Sequence, residues 1–165
     1  SRGSILPYWA KLLQQGVKAL PVTDVRMTRF WITLNESVDF VIQALQMSRG
    51  GELYVPKIPS VKIIDLAKAM NPSHEPHIIG IREGEKLHEL MVSADDTRHT
   101  LEYDSHFMLI PETAFHNEEH LQRFLAGRKG KKLPEGFAYT SDTNKEWLQP
   151  DQLASIVKKY SSPEY

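Results

Sequence analysis

No cysteine occurs among the 165 residues. That excludes disulfides and thiolate metal ligands, and the setting expected from it is a reducing cytoplasm. No apolar run approaches the roughly 20 residues that a membrane-spanning helix needs, and no leader peptide is legible, so no membrane partner is expected. Neither sign of charge is in excess: 20 Lys and Arg face 21 Asp and Glu, a net charge of -1 that supplies no field to draw in nucleic acid. The glycine-rich strand–turn–helix that cradles a dinucleotide is missing, and so is a GxSxG nucleophile elbow. An initiating methionine is missing too. The chain opens SRGSILPYWAKLL, with a helix expected within four residues of the terminus, as though it began inside a fold.

What is present reads as an α/β protein with few, short strands. Ser4 is a candidate N-cap for a helix carrying Ile5, Tyr8, Trp9, Leu12 and Leu13, with Gly16 to stop it. A short strand is expected within residues 19–23. Asn35 is expected to cap the clearest helix, whose stripe Val38, Val41, Ile42 and Leu45 should face a core. GELYVPKI reads as a strand, and Ser60 as the cap of a third helix bearing Val61, Ile64, Ala67 and Met70. HIIGI, residues 77–81, reads as a buried strand. The segment after Gly84 reads as a helix with Leu87, Leu90 and Met91 on one side. Residues 100–111 alternate as a strand, a short helix is expected over residues 116–125, and Asp151 is expected to cap a last helix with Leu153, Ile156 and Val157.

Chemistry concentrates in arginines. TDVRMTRFWITL sets Arg26 and Arg29 beside Phe30 and Trp31, and HIIGIREGEK adds Arg82 and Glu85 at a second junction. A guanidinium is always charged and offers phosphate oxygens a fixed fork of donors. Two such arginines suit a diphosphate, a carboxylate such as Glu85 suits ribose hydroxyls, and an aromatic suits a sugar or base face. The same residues also fit surface arginines with two core aromatics. Ser1, Arg2, Gly3 and Ser4 form a small loop before a helix N-terminus, which fits either an anion site or an ordinary cap. His116, Glu119 and His120 match H-x-x-E-H; on one helix the two histidines would share a face toward zinc, but no second motif frames a third ligand. Arg128, Lys129, Lys131 and Lys132 read as a solvated basic loop without interleaved aromatics.

Taken in order, TDVRMTRFWITL, GELYVPKIPSVKIIDLAKAM and IIGIREGEKLHELM resemble the C-terminal half of the UDP-N-acetylglucosamine 4,6-dehydratases, within the extended short-chain dehydrogenase/reductase superfamily. The tail FAYTSDTNKEWLQPDQL is similar to the inverting members of the pseudaminic acid pathway type, and the resemblance covers essentially the whole chain. It implies a Rossmann-type fold whose N-terminal dinucleotide-binding part is missing, with residues 1–165 forming the UDP-sugar-binding portion and its last Rossmann strand near residues 51–56. It implies that Arg29 binds the diphosphate, that Arg82 and Glu85 contact the diphosphate and uridine ribose, and that Arg26, Met27 and Thr28 line the same pocket. Ser1, Arg2, Gly3 and Ser4 would lie beside NADP. The partners implied are UDP-N-acetylglucosamine and, at full length, further copies in a homo-oligomer.

The family's reaction is a redox-neutral elimination, with hydride taken up and returned by NADP. Its Tyr-x-x-x-Lys pair and catalytic Asp and Lys have no counterpart here, so no catalytic residue is assigned and the chain alone is expected to be inactive. The rival readings are a stand-alone UDP-sugar-binding module and a zinc peptidase built on His116, Glu119 and His120.

Overall fold

The computed structural model describes residues 5–160; the side chain of residue 160 and the expected Ser1–Ser4 site lie outside what it describes. In chain order the elements are α1 (Ile5–Gln14), β1 (Pro21–Val22), β2 (Thr28–Phe30), α2 (Leu34–Met47), β3 (Leu53–Pro56), β4 (Ser60–Lys62), α3 (Ile63–Met70), β5 (His77–Ile78), β6 (Leu90–Val92), a 3₁₀ turn (Asp96–His99), β7 (Thr100–Glu102), β8 (His106–Leu109), α4 (Glu112–Phe115), α5 (Glu118–Leu125), β9 (Lys131–Lys132), β10 (Tyr139–Thr140) and α6 (Pro150–Tyr160). They fall into two compact units. One takes the chain up to Phe30, Pro59–Glu89 and the chain from Asn144; the other takes Trp31–Ile58 and Leu90–Thr143.

The first unit is helical with two short two-stranded ladders. Leu6, Trp9 and Ala10 are the buried face of α1, while Tyr8, expected in the core, is half exposed. Trp9 is fully buried, and its indole Nε1 donates to the Pro21 carbonyl (3.0 Å), which fastens α1 to the start of β1. Leu66 and Met70 of α3 and Leu153 and Val157 of α6 complete this core. β1 pairs in parallel with β5, and β2 pairs antiparallel with β4, setting Arg29 opposite Val61. A two-stranded ladder is marginal alone, so both depend on the helices beside them.

Three expectations are corrected in this unit. Ser60 is not a helix cap: Ser60–Lys62 form a strand, and α3 starts at Ile63 without a side-chain cap. The reason is that the backbone of Ser60 bonds in both directions, its N–H to the Glu146 carbonyl (2.8 Å) and its carbonyl to the Leu148 N–H (2.9 Å). HIIGI is not a buried strand, since only His77 and Ile78 pair and both are exposed. The segment after Gly84 is not a helix; it is an extended strap whose carbonyls are bound from outside it, as described below.

The second unit is built on a four-stranded antiparallel sheet in the order β3-β8-β7-β9. β7 and β8 form a hairpin closed by the Tyr103 N–H on the His106 carbonyl (2.9 Å). All four residues of β8 are buried because both faces of this central strand are covered. Met108 packs with Leu101, Ile110, Ala114 and Phe124; Phe107 meets Tyr139 with ring centroids 4.9 Å apart. The Tyr139 hydroxyl then bonds both the N–H and the carbonyl of Ile58 (2.9 and 3.0 Å). β9 lies inside the basic run read as a loop. Gly130 admits it: a Cβ there would sit 2.8 Å from that of Leu101 and 2.9 Å from the Tyr103 ring.

α2 begins two residues earlier than expected, with Thr33 and not Asn35 as its N-cap. The Thr33 hydroxyl accepts from the Glu36 N–H and the Glu36 carboxylate accepts from the Thr33 N–H (2.8 Å), a reciprocal capping box. Its expected core stripe is also reversed: Val38, Val41, Ile42 and Leu45 are exposed, and α2 has no buried residue.

His106 is buried in this sheet, its ring stacked on Tyr103 with centroids 4.9 Å apart. Burial pushes its pKa down, and the cations of Arg128 and Lys57 push the same way. The unfolded chain therefore binds the extra proton first, and the neutral ring's contribution is present above the ordinary value of 6.5 and shrinks as pH falls below it. Urea midpoints taken at pH 8 and pH 5.5 should drop for the wild type, and the drop should be smaller in His106→Gln.

Candidate functional site

The segment from Thr23 to Phe30 and the strap from Arg82 to Glu89 lie together in the first unit, and the sequence marks both with arginine. Arg29 joins them. Its Nη1 donates to the carbonyls of Thr28 (2.7 Å) and Leu87 (3.1 Å), its Nη2 donates to the Lys86 carbonyl (2.9 Å), and its Nε lies 3.7 Å from Glu89 Oε1. These contacts commit most of the five guanidinium N–H groups. They also accompany the missing helix: the Lys86 and Leu87 carbonyls are bound from β2 in place of closing i to i+4 bonds.

Further contacts run along the same seam. The Thr28 N–H donates to the Leu87 carbonyl (3.0 Å), and the Thr28 hydroxyl shares a hydrogen bond with His88 Nδ1 (2.8 Å). The Phe30 N–H donates to Glu89 Oε2 (3.0 Å). At the other end the Thr23 hydroxyl donates to Glu85 Oε1 (3.3 Å). Glu85 in turn closes the turn at Gly84, accepting from the Arg82 N–H (3.4 Å) and donating its own N–H to the Arg82 carbonyl (3.1 Å). Gly84 has φ +78°, a left-handed conformation that glycine adopts without strain.

The residues marked by the sequence thus divide. Arg29, Thr28 and Glu85 are brought together in the seam. Met27 is buried, its carbonyl accepting the Ile63 N–H (3.0 Å), so it belongs to the framework. Arg26 and Arg82 are the exposed cations, Arg26 with 67% of its side chain open to solvent. Phe30 ends β2, and Trp31 belongs to the other unit. Reading from sequence missed Thr23, Asp24, His88 and Glu89. Asp24 had a signal, the short Asp-x-Arg spacing within TDVRMTR, and His88 had one in the Glu-x-x-His spacing from Glu85; Glu89 had none, because only the folded pairing reveals it.

Asp24 holds Arg26 in a two-pronged ion pair, with Oδ1 accepting from Nε (3.0 Å) and Oδ2 from Nη2 (2.8 Å), while Oδ1 also accepts the Arg26 backbone N–H (2.8 Å). A carboxylate therefore occupies the fork that would take a phosphate oxygen. The hydrogen bonds from Arg26, side chain before backbone, hold the Asp24 pKa at about 2, against an ordinary 3.8.

The zinc reading does not survive the fold. His116 is the C-cap of α4 and Asn117 is the N-cap of α5, its side chain accepting from the His120 N–H, so the two histidines are not on one helix. Among the described residues, no group of three His, Asp or Glu side chains is placed to hold a metal.

Comparison with known proteins fits this picture. The model of the family described as polysaccharide biosynthesis protein matches residues 1–111, and the chain belongs to that family. It is 46% identical over 158 residues to the inverting UDP-N-acetylglucosamine 4,6-dehydratase of Campylobacter jejuni subsp. jejuni serotype O:2, covering 95% of this chain and 47% of that protein. It is 40% identical over 100 residues to the UDP-glucose 4-epimerase of Rickettsia rickettsii, over 58% of this chain and 29% of the relative. Among solved structures, Pen from Bacillus thuringiensis superposes with a TM-score of 0.73 at 24% identity, over 96% of this chain and 45% of that one. The α/β fold is thus shared with Pen over nearly the whole chain, and the chain spans about half the length of the dehydratase it matches. No helix among the described residues is long and apolar enough to cross a membrane.

The Asp24 ion pair makes a direct prediction. Its charged form is favoured in the fold, so its contribution is full above the ordinary carboxylate range and is lost as pH falls through about 2. In Arg26→Gln the Asp24 pKa should return toward 3.8, as followed by the side-chain carboxyl carbon in an NMR titration.

Proposed function

We propose that this chain is the UDP-sugar-binding C-terminal portion, residues 1–165, of a nucleotide-sugar 4,6-dehydratase that acts on UDP-N-acetylglucosamine with C5 inversion. The observation that carries the reading is the seam itself: two arginine-bearing segments, far apart in sequence, are clamped together by Arg29 with Arg26 and Arg82 left exposed beside it. The 46% identity to the inverting dehydratase supports it over the chain's length.

In this reading Arg26 and Arg82 meet the diphosphate oxygens, and Arg29 completes the cluster while holding the strap. Glu85 turns its carboxylate to the ribose hydroxyls, with Thr23 keeping it in place. Asp24 occupies the Arg26 fork until a phosphate competes for it. Met27 and Thr28 set the pocket's backbone. NADP, held mainly by the half of the enzyme not represented here and by Ser1, Arg2, Gly3 and Ser4, supplies the reversible hydride chemistry when bound. β3 is the last Rossmann strand. The catalytic acid and base lie outside these 165 residues, so the chain binds and orients but does not catalyse. The whole enzyme is a cytoplasmic homo-oligomer that feeds pseudaminic acid and surface-glycan or flagellin glycosylation.

Thermal denaturation tests this. UDP at about 100 times its Kd contributes roughly 2.7 kcal/mol of linkage stabilisation, enough to raise Tm by several degrees. Arg82→Ala changes an exposed side chain and should leave the ligand-free Tm nearly unchanged while abolishing the UDP shift; Arg26→Ala should abolish the shift too, with the ligand-free Tm lowered by loss of the Asp24 pair. Arg29→Ala should remove the shift and also lower the ligand-free Tm. An unchanged UDP shift in Arg82→Ala would sink the assignment, as would formation of a 4-keto sugar by the chain alone from UDP-N-acetylglucosamine and NADP⁺.

A further inference from the structure

The second unit carries a concave basic surface that neither its core nor the candidate site uses. Residues 123–132, RFLAGRKGKK, hold five cations and no acid. The part from Arg128 to Lys132 has no aromatic of its own, which in sequence reads as a solvated loop, but the fold brings aromatics to it. The Arg128 guanidinium lies 5.8 Å from the centre of the Tyr103 ring, and Lys132 Nζ lies 5.9 Å from that of Phe115.

The turn that presents these cations is fixed by the end of α5. Ala126 (φ 47°) and Gly127 (φ +78°) reverse the chain through two consecutive left-handed residues. The Arg128 N–H then donates to the Leu125 carbonyl (2.8 Å), and its guanidinium folds back on the helix end, Nε donating to the Leu125 carbonyl and Nη2 to the Phe124 carbonyl (both 3.2 Å). A cation is favoured at that negative end of the helix. Gly130 keeps the returning chain low over Leu101 and Tyr103.

Enclosed by this turn, α5 and Phe115 is a pocket of about 550 Å³, a size that admits a small molecule. Its floor is apolar: Leu101, Phe115, Leu121 and Leu125. Phe115, Leu121 and Leu125 pack against the core around Met108 but are only partly buried by it, so each keeps area for the pocket. Leu121 and Leu125 are one helical turn apart and share a face, while Phe124 points inward and is buried. Arg128, Lys129 and Lys132 stand around this floor, and no carboxylate lines it. Three like charges around one concavity repel one another, and an anion relieves that repulsion. The apolar floor adds nothing for an inorganic ion, and the cations add nothing for a neutral hydrocarbon; together they suit a molecule that is both.

We infer that this pocket binds a dissolved amphiphilic anion, its aliphatic or aryl body on the leucines and Phe115 and its carboxylate or phosphate head at Lys129 and Lys132, with Arg128 as the fixed charge behind them. The pocket is concave and holds one molecule, whereas a bilayer surface would call for a protruding apolar face. The inference does not depend on the UDP-sugar reading, because every residue in it belongs to the second unit.

The probe is sodium octanoate, titrated below its micelle concentration into the isotope-labelled 165-residue chain. The expected result is saturable shifts of the Gly127, Lys129, Gly130 and Lys132 amides. Octan-1-ol, the body without the charge, and inorganic phosphate, the charge without the body, should each bind at least about tenfold more weakly. Lys129→Ala with Lys132→Ala alters two exposed side chains and should weaken octanoate by about tenfold or more. Gln122→Glu, which sets a carboxylate on the exposed rim, should weaken it too. Amide dispersion shows whether each variant is folded, and either folded variant decides the point. No saturable shift from octanoate overturns the inference. So does octan-1-ol or phosphate binding as tightly as octanoate, which leaves an apolar hollow or a charged surface only, and so do octanoate shifts that the folded variants leave unchanged. Sedimentation of the chain with phosphatidylglycerol vesicles, without octanoate binding, would assign the charges to a lipid surface and overturn it as well.

Discussion

The first unit turns on one guanidinium. Arg29 stands on β2, a three-residue strand that is half of a two-stranded ladder, and reaches sideways to the Lys86 and Leu87 carbonyls. Hydrogen bonds from a charged group contribute about 1.5–3 kcal/mol each, and Arg29 is only 24% exposed, so solvent screens them partly. Without that side chain the Lys86 carbonyl would have to find another donor, and the Leu87 carbonyl would keep the Thr28 N–H alone. The strap carries Arg82 and Glu85, and β2 follows directly on the turn that carries Asp24 and Arg26. The clamp thus joins the segment of Asp24 and Arg26 to the strap of Arg82 and Glu85. A lysine there would keep the charge and lose the fork.

Exposure separates structural from ligand-facing arginines better than sequence can. Arg26 and Arg29 are three residues apart in one motif, yet one is held by a neighbouring carboxylate at the surface and the other is spent on backbone carbonyls. The Asp24 carboxylate keeps the Arg26 fork oriented, and in the proposed reading it is the group with which a phosphate would compete. The expected role of Arg29 as a phosphate ligand and its observed role as a clamp are compatible only through the N–H that the clamp leaves over.

Much of the helical framework was legible in the residues. The periodicity of Ile5 to Leu13, of Val38 to Leu45 and of Leu153 to Val157 located α1, α2 and α6, because local spacing alone produces those helices. What failed was whatever depended on partners distant in the chain. Ser60 reads as a cap until Glu146 and Leu148 engage its backbone. Leu87, Leu90 and Met91 have helical spacing, but Arg29 and the ladder between β6 and β10 pull them into extended chain. The α2 stripe was correctly found and wrongly pointed, since spacing shows that a face is apolar and not what covers it. The arginine motifs were legible as chemistry; their division of labour was not, because Arg29 is spent on carbonyls 57 and 58 residues away.

The measurement that bears most directly on the account is a titration of UDP-N-acetylglucosamine into the isotope-labelled chain, watching the arginine Nε–Hε resonances. The account predicts saturable shifts at Arg26 and Arg82, with the Arg26 signal losing the signature of its Asp24 pair as ligand binds. Saturable shifts confined to Arg128 and the basic residues that follow it, or none at any arginine, would contradict it.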